Sequence, residues 1–212
     1  AREYTIIWKD YDGSILETDT NVGYGTVPTF DQVFPTREDE EAYAYEFAGW
    51  SPSVTKATAD QTYIATYRKT TKTFLVKFVN DDGSLLSSSM MNYGSTPSYY
   101  GTPTKRATAQ YTYTFKGWDK DLEPVASSVT YTAVFDCTVN QYTVTWGTPK
   151  YVPIKRETLD YGAMPTPPAE SQVPEQSPSY TLSYSFSGWD KEIVPVTSDI
   201  TYTDVYTSSE RK

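Results

Sequence analysis

The chain of 212 residues contains no histidine and a single cysteine, Cys137. Histidine is the usual general base near neutral pH and the commonest zinc ligand, so its absence argues against nucleophilic triads and most zinc sites. One cysteine cannot close an internal disulfide, and the stretch around Cys137 offers no second metal ligand. We therefore predict no metal and no cofactor, and we interpret Cys137 as a small residue that fills a junction between two units of the chain.

Positive charge and long apolar runs are also scarce. The chain has 18 Lys and Arg against 27 Asp and Glu, which gives a net charge of −9. Such a chain repels phosphate backbones and anionic membranes, so we expect no nucleic-acid partner. No run of 18 apolar residues and no signal peptide is present, so no direct membrane insertion is predicted. Because the chain starts at Ala1, we expect a monomeric fragment of a longer protein, with its signal and anchor elsewhere.

The residues that are abundant favour strands and turns. There are 20 Tyr and 14 Pro, with many Thr, which predicts a mostly β protein. Apolar and polar residues alternate from Tyr4, Phe74 and Tyr142, which lie 70 and 68 residues apart. A period near 70 residues is long enough for a unit with its own small core. We predict three tandem domains at 1–70, 71–138 and 139–212, each with a four-stranded sheet.

Two dipeptides recur in step with this period. They are Tyr-Gly, at Tyr24, Tyr93 and Tyr161, and Gly-Trp, at Gly49-Trp50, Gly117-Trp118 and Gly188-Trp189. The step from each Tyr-Gly to the next Trp varies between 25 and 28 residues, whereas the following 13 residues to the last strand keep their length. Differences in length are therefore confined to one proline-rich connector in each unit.

The hairpin and connector of each unit have local signals. "DYDGSI" at 10–15 and "NDDGSL" at 80–85 predict two-residue hairpin turns with positive φ at both central positions. The third unit has "GTPKYVPI" instead, so its turn must be longer or differently shaped. Thr36 and Asp39 resemble a capping box, which predicts a short helix in the connector of the first unit or two. The third connector carries too many prolines for a helix.

The third and fourth strands explain the repeated Gly-Trp. Tyr43, Tyr45 and Phe47 alternate along one face of a strand, the glycine then permits a close backbone approach, and the tryptophan covers one end of the core. The same holds for the other two units. In the fourth strand, Asp204 stands on the expected apolar face where the other units have alanine, and we interpret it as a twisted or exposed strand end.

The motifs "KDYDGSIL", "YGTVP", "YEFAGW" and "TYTAVF", at this spacing, resemble the Listeria–Bacteroides repeat family, a bacterial surface module similar to the B repeat of internalin B. The resemblance covers essentially the whole chain three times. It implies a β-grasp-like fold and tandem placement in large secreted or wall-attached bacterial proteins, where such repeats act as spacers or adhesin modules. It implies no catalytic residues. An extracellular or cell-surface location follows as an expectation.

Acidic clusters are weak candidates for chemistry. Residues 38–41, Glu-Asp-Glu-Glu, are interpreted as a solvated face, because neighbouring side chains point in different directions. "DYDG" is interpreted as a hairpin turn, since the later ligands of a calcium loop are missing. We therefore predict that the chain is not an enzyme.

Ligand binding through loops is the alternative function. Tyr99 and Tyr100 in "SYYG", together with Tyr151, lie in variable segments, where binding residues concentrate. Their partner would be a glycan or a host or bacterial surface protein. The preferred hypothesis is a spacer or stalk: the links "YRKTTKTF" and "FDCTVNQY" lack Gly and Pro and are predicted to continue as extended strands. Three units in line would reach about 90 to 110 Å.

Overall fold

The structure is a computed structural model that describes residues 2–148, 150 and 152–211. It is mostly β, with three four-stranded sheets, as the repeats predicted. The first sheet contains β1 (Glu3–Lys9), β2 (Ile15–Gly23), β3 (Tyr43–Ser51) and β4 (Gln61–Thr71). The second contains β5 (Thr73–Val79), β6 (Leu85–Asn92), β7 (Tyr111–Trp118) and β8 (Val129–Val139). The third contains β9 (Gln141–Gly147), β10 (Pro153–Asp160), β11 (Leu182–Trp189) and β12 (Ile200–Glu210).

All three sheets have the same topology. In the first, the order is β2-β1-β4-β3, with β1 and β4 parallel in the centre and antiparallel strands at both edges. The second and third sheets repeat this order as β6-β5-β8-β7 and β10-β9-β12-β11. A parallel pair cannot be joined by a tight turn, so the connector and the third strand lie between its two members in sequence.

The backbone packs into two compact units. The first comprises Ala1–Val79, Ser84–Tyr100 and Lys120–Thr132, and the second comprises Asn80–Gly83, Gly101–Asp119 and Ala133–Lys212. The first sheet lies in the first unit and the third sheet in the second, while β8 contributes residues to both. The domain boundaries drawn from the repeats, 1–70, 71–138 and 139–212, stay a prediction.

Each core is built from the two central strands. In the first sheet, Ile6 and Trp8 of β1 and Tyr63 of β4 are buried, and Trp8 lies 4.8 Å from Tyr63 between ring centroids. The alternation that begins at Tyr4 therefore points its apolar side inward, as predicted. The corresponding buried residues are Val76, Phe78 and Tyr131 in the second sheet, and Val144, Trp146 and Tyr202 in the third.

The predicted two-residue hairpin turns are wrong. In the first unit, the Gly13 N–H donates to the Asp10 carbonyl at 3.0 Å, and the Asp10 N–H donates to the Ser14 carbonyl at 2.8 Å. Gly13 has φ of +88°, but Asp12 does not have positive φ. This is the pattern of a three-residue loop that ends in a left-handed glycine. Gly83, with φ of +82°, takes the same place in the second unit.

The third unit keeps its first hairpin. Strands β9 and β10 pair antiparallel from Gln141–Asp160 to Gly147–Pro153, with a register shift at the turn end. The Thr148 N–H donates to the Val152 carbonyl at 3.1 Å and closes the turn. The absence of Asp-Gly therefore changes the turn without removing the hairpin.

The helix predicted from Thr36 and Asp39 is absent: residues 32–40 contain no helical turn. The Glu40 N–H donates forward to the Tyr43 carbonyl at 2.9 Å, and the Asp39 carboxylate accepts the Tyr45 N–H at 3.1 Å. The bond from Glu40 runs from an earlier N–H to a later carbonyl, whereas an α-helix needs a later N–H to donate to an earlier carbonyl, so it commits the backbone to the start of β3. The described helical turn lies in the third connector instead, as three 3₁₀ residues, Glu170–Gln172.

The glycine of each Gly-Trp is required by its backbone conformation. Gly49, Gly117 and Gly188 have φ of +121°, +153° and +136°, a region that only glycine enters easily. A Cβ at any of these positions would meet nothing within 4 Å, so the predicted close backbone approach is wrong. In each case the register shifts at this point, between Phe47 and Gly49 in the first unit. The bulge returns the following tryptophan to the core face.

Asp204 is buried, with 3% of its surface exposed. It pairs in register with Trp189, as Ala65 does with Trp50 and Ala133 with Trp118. The alternation of β12 is regular here, so the interpretation of this position as a twisted or exposed strand end is wrong. The third unit therefore carries a carboxylate on the face that its neighbours fill with alanine.

Candidate functional site

The tyrosines predicted to bind a ligand do not share one environment. Tyr99 is half-buried, and its ring lies 5.4 Å from that of the core residue Phe78. Tyr100 is 94% exposed on the second connector. Tyr151 lies outside the described residues. Tyr100 is therefore the one predicted ligand tyrosine that the structure shows open to solvent.

The three Gly-Trp tryptophans are half-buried against aromatic core residues. Trp50 lies 4.8 Å from Trp8 and 5.3 Å from Phe47, in edge-on contacts. In the third unit, Trp189 makes the same kind of contact with Trp146 at 4.7 Å. In the second unit, the ring of Trp118 lies 5.4 Å from Phe115. Because these rings face the core, they are poorly placed to stack on a sugar.

Each Tyr-Gly forms a turn that is clamped to the loop before the last strand. In the first unit, the Gly25 N–H donates to the Ala57 carbonyl and the Ala57 N–H to the Thr26 carbonyl, both at 2.8 Å. The equivalent residues are Gly94, Val125 and Ser95 in the second unit and Gly162, Val196 and Ala163 in the third. In the first unit the signature tyrosine is largely exposed, at 66% for Tyr24, whereas Tyr93 and Tyr161 are half-buried.

One residue separates the last strand of one repeat from the first strand of the next. It is Lys72 between β4 and β5, and Asn140 between β8 and β9. The N–H of this linking residue donates to a carbonyl just before the third strand of the preceding repeat. Its carbonyl accepts from the backbone N–H of the Tyr-Gly tyrosine in the following repeat. At the first junction the Lys72 N–H donates to the Ala42 carbonyl and the Tyr93 N–H donates to the Lys72 carbonyl, both at 2.9 Å. At the second, the Asn140 N–H donates to the Gln110 carbonyl and the Tyr161 N–H donates to the Asn140 carbonyl, both at 2.8 Å.

Side chains of the acidic cluster reinforce the first of these junctions. Asp39 contacts the Lys72 ammonium at 3.3 Å, and the Tyr93 hydroxyl donates to Glu41. The hydrogen bond from the Tyr45 N–H holds the pKa of Asp39 below its usual range, and the bond to Glu41 raises the pKa of Tyr93. The cluster therefore joins parts of the chain, which is a structural role.

The second junction uses neutral groups. The Asn140 amide nitrogen donates to the Thr108 and Ala109 carbonyls at 2.8 and 3.0 Å, and its amide oxygen accepts from the Thr112 hydroxyl at 2.7 Å. The Tyr142 hydroxyl donates to the Ala109 carbonyl at 2.6 Å. Sequence reasoning missed Lys72 and Asn140, because backbone bonds leave no side-chain signature.

Other candidates for chemistry are occupied by local structure. Asp12 accepts hydrogen bonds from the Ser14 hydroxyl and N–H at 2.6 and 2.9 Å, which lower the pKa of Asp12. Cys137 is exposed on β8, so the prediction that it fills a junction is wrong. Within residues 2–148, 150 and 152–211, no group of three potential metal-binding side chains comes together. Nor does this part of the chain form a helix of the length and apolar character needed to cross a bilayer.

No protein-family model matches the chain, and no curated protein matches it. A solved structure of Streptococcal High Identity Repeats in Tandem (SHIRT) domains 3-4 from a cell surface protein is similar, with 17% sequence identity and a TM-score of 0.36. The match covers 66% of this chain and 100% of that chain.

Proposed function

We propose that the chain is a non-catalytic tandem-repeat segment of a bacterial cell-surface or secreted protein, and that it acts as a spacer that presents other domains. The observation that carries the proposal is the one-residue junction, hydrogen-bonded on both sides. The resemblance of its motifs to the Listeria–Bacteroides repeat family supports the surface location and the extracellular setting.

A spacer differs from a flexible tether in the freedom of its joints. At Lys72 and at Asn140 only one residue lies between two hydrogen-bonded strands, and both its N–H and its carbonyl are engaged. A Gly/Ser linker would leave these groups in water and behave as a coil. Exposed ion pairs add only about 0 to 1 kcal/mol, so the backbone bonds restrain the junction more than the Lys72–Asp39 contact does.

The proposal predicts narrow distance distributions across each junction. Spin labels at Lys56 and Lys77, and in a second variant at Thr114 and Thr158, report on the Lys72 and Asn140 junctions, because all four side chains are exposed. Cys137 is replaced by serine to avoid a third label.

The matched control inserts Gly-Ser-Gly-Ser directly after Lys72 or Asn140, which separates that residue's carbonyl from the Tyr93 or Tyr161 N–H of the next repeat and so breaks the bond across the insertion point. Pulsed electron spin resonance should then give a clearly broader distribution for the inserted variant. Equally broad distributions in the native and inserted chains would show that the junctions are flexible and would rule out a stiff spacer.

The alternative is a carbohydrate- or host-protein-binding module that uses the connectors. The exposure of Tyr100, at 94%, favours it, because an exposed ring on a loop is available for stacking. Tyr180, on the third connector, is 98% exposed. Saturable binding of a surface glycan that is lost in Tyr100→Ala or Tyr180→Ala, with unchanged junction distances, would favour this function over the spacer alone.

A further inference from the structure

The buried carboxylate of Asp204 is incompletely hydrogen-bonded. Its Oδ2 accepts from the Tyr206 hydroxyl at 2.8 Å, and that hydroxyl also contacts the Pro174 carbonyl. The hydroxyl has one proton, which cannot fully satisfy both acceptors. Asp204 Oδ1 is buried and has no hydrogen-bond partner among the described residues. The site therefore has more acceptors than donors.

This arrangement lowers the stability of the folded state, and the strand arrangement does not require it. Leaving a buried polar oxygen unpaired is unfavourable, and more so for a charged group. Ala65 and Ala133 take the equivalent position in the other two repeats, and each pairs with the Gly-Trp tryptophan of its own repeat. Position 204 could therefore carry alanine within the same strand arrangement. A buried acid that reduces stability, at a position where the other two repeats have alanine, is typical of a functional site.

Asp204 also lines a cavity of about 560 Å³ in the third repeat. The walls include the segment from Pro174 to Ser177 of the connector, with Glu175 as a second carboxylate, and Thr148 and Lys150 of the first hairpin. The other two repeats have different connectors and hairpin turns at these places. The cavity thus combines the segments in which the third repeat departs most from its neighbours.

We propose that this cavity binds a guanidinium group, such as that of a free or peptide-borne arginine, through Asp204. The guanidinium of arginine has five N–H donors in one plane and stays charged. It can therefore supply the hydrogen-bond donors that the carboxylate of Asp204 lacks. Two carboxylates favour a cation, whereas a metal ion would need more ligands than the cavity supplies. The site is independent of the spacer function and adds a ligand class to the third repeat.

The test titrates the whole chain with methylguanidinium and follows backbone amide NMR signals around Thr148, Gln176 and Tyr206. We expect saturable shifts that weaken as salt is raised, since the contact is ionic. N-methylurea, a neutral molecule of similar shape, should bind at least about tenfold more weakly, because it lacks the charge.

Two substitutions at position 204 separate binding from folding. Asp204→Ala restores the residue of the other repeats and Asp204→Asn keeps the side-chain shape, and both should weaken binding by about tenfold or more. The matched control is Glu210→Gln, an exposed acid on the same strand, which should leave the affinity unchanged. Equal binding by wild type and both Asp204 variants, equal binding of N-methylurea, or no saturable shift would each overturn the proposal.

Lys150 provides a further check, because this exposed residue lines the same cavity. If the cavity takes an external cation, Lys150→Gln removes a competing positive charge and should increase the affinity for methylguanidinium. A Lys150→Gln variant with a lower unfolding temperature and no gain in affinity would show that Lys150 is the internal partner of Asp204, and would overturn the proposal.

Discussion

The pair of Trp146 and Glu157 allows a quantitative test of how the third core is stabilised. The Trp146 indole N–H donates to the Glu157 carboxylate at 3.2 Å, and the ring is fully buried. The corresponding pairs are Trp8 with Asp19, at 2.9 Å, and Phe78 with Ser89. The second repeat thus lacks both the indole donor and the carboxylate acceptor, which suggests that the two residues depend on each other.

Replacing Trp146 with phenylalanine should destabilise the third repeat by about 3 kcal/mol. The change deletes two buried carbons, at about 0.8 kcal/mol each, and a hydrogen bond to a carboxylate, at about 1.5 kcal/mol. We take the lower end for the hydrogen bond because Glu157 keeps its contacts with Lys155, at 3.0 Å, and the Thr166 N–H, at 3.2 Å. The stacking on Tyr202, at 4.5 Å, can persist with a phenyl ring, as Phe78 and Tyr131 show at 5.1 Å.

A double-mutant cycle with Glu157→Ala isolates the hydrogen bond. Native-state hydrogen exchange of the β9 and β12 amides gives the free energy of opening of this repeat within the whole chain. We expect a coupling energy of about 1.5 kcal/mol between positions 146 and 157. The control pair, Trp146→Phe with Glu210→Ala, should be additive. A coupling below about 0.3 kcal/mol for the main pair would refute the assigned hydrogen bond.

Two further predictions concern pH and autonomy. Burial opposes ionisation of Glu157, but hydrogen bonds from Lys155, Trp146 and the Thr166 N–H outweigh it and keep the pKa of Glu157 below its usual 4.5. The contribution of Glu157 to stability is therefore complete above pH 4.5 and is lost as the pH falls through the lower pKa that Glu157 has in the folded state. Amide exchange rates in β9 and β10 should rise over this pH range. In the Glu157→Gln variant this pH dependence should largely disappear. Residues 72–139 should unfold cooperatively on their own in urea, although at a lower midpoint than the whole chain, and a gradual, non-cooperative transition would contradict an independent repeat.

The strands could be predicted from the sequence because they bury one face. Alternation from Tyr4, Phe74 and Tyr142 specified both the strand and its inward side, and the recurrence of whole patterns gave four strands for each sheet. The helix prediction failed because a capping pattern at Thr36 and Asp39 is a local signal without an apolar face to pack. Tertiary bonds to Tyr43 and Tyr45 then decided the conformation.

The candidate sites were less predictable for a physical reason. The backbone bonds at Lys72 and Asn140 use an N–H and a carbonyl, and every residue except proline has both groups. No particular residue type therefore marks these junctions in the sequence. Asp204 was noticed as an exception to the alanine pattern, but its burial depends on the packing of a connector that varies among the repeats. The variable segment "SYYG" was singled out for both of its tyrosines, but only Tyr100 is exposed, because Tyr99 packs on Phe78.

The junction also has a consequence for how such chains change in length over generations. The backbone bonds of each junction use one amide N–H and one carbonyl, and the residues that supply them are as different as Lys72 and Asn140. The Arg211 N–H makes the same bond, to the Thr181 carbonyl at 3.0 Å. An in-frame duplication or deletion of about 70 residues would therefore produce a new junction that already fits. Proline is the one residue that would break it, since it has no N–H to donate. Recombination can thus add or remove whole repeats while the backbone bonds of each joint are kept, and only the side-chain contacts around the joint change.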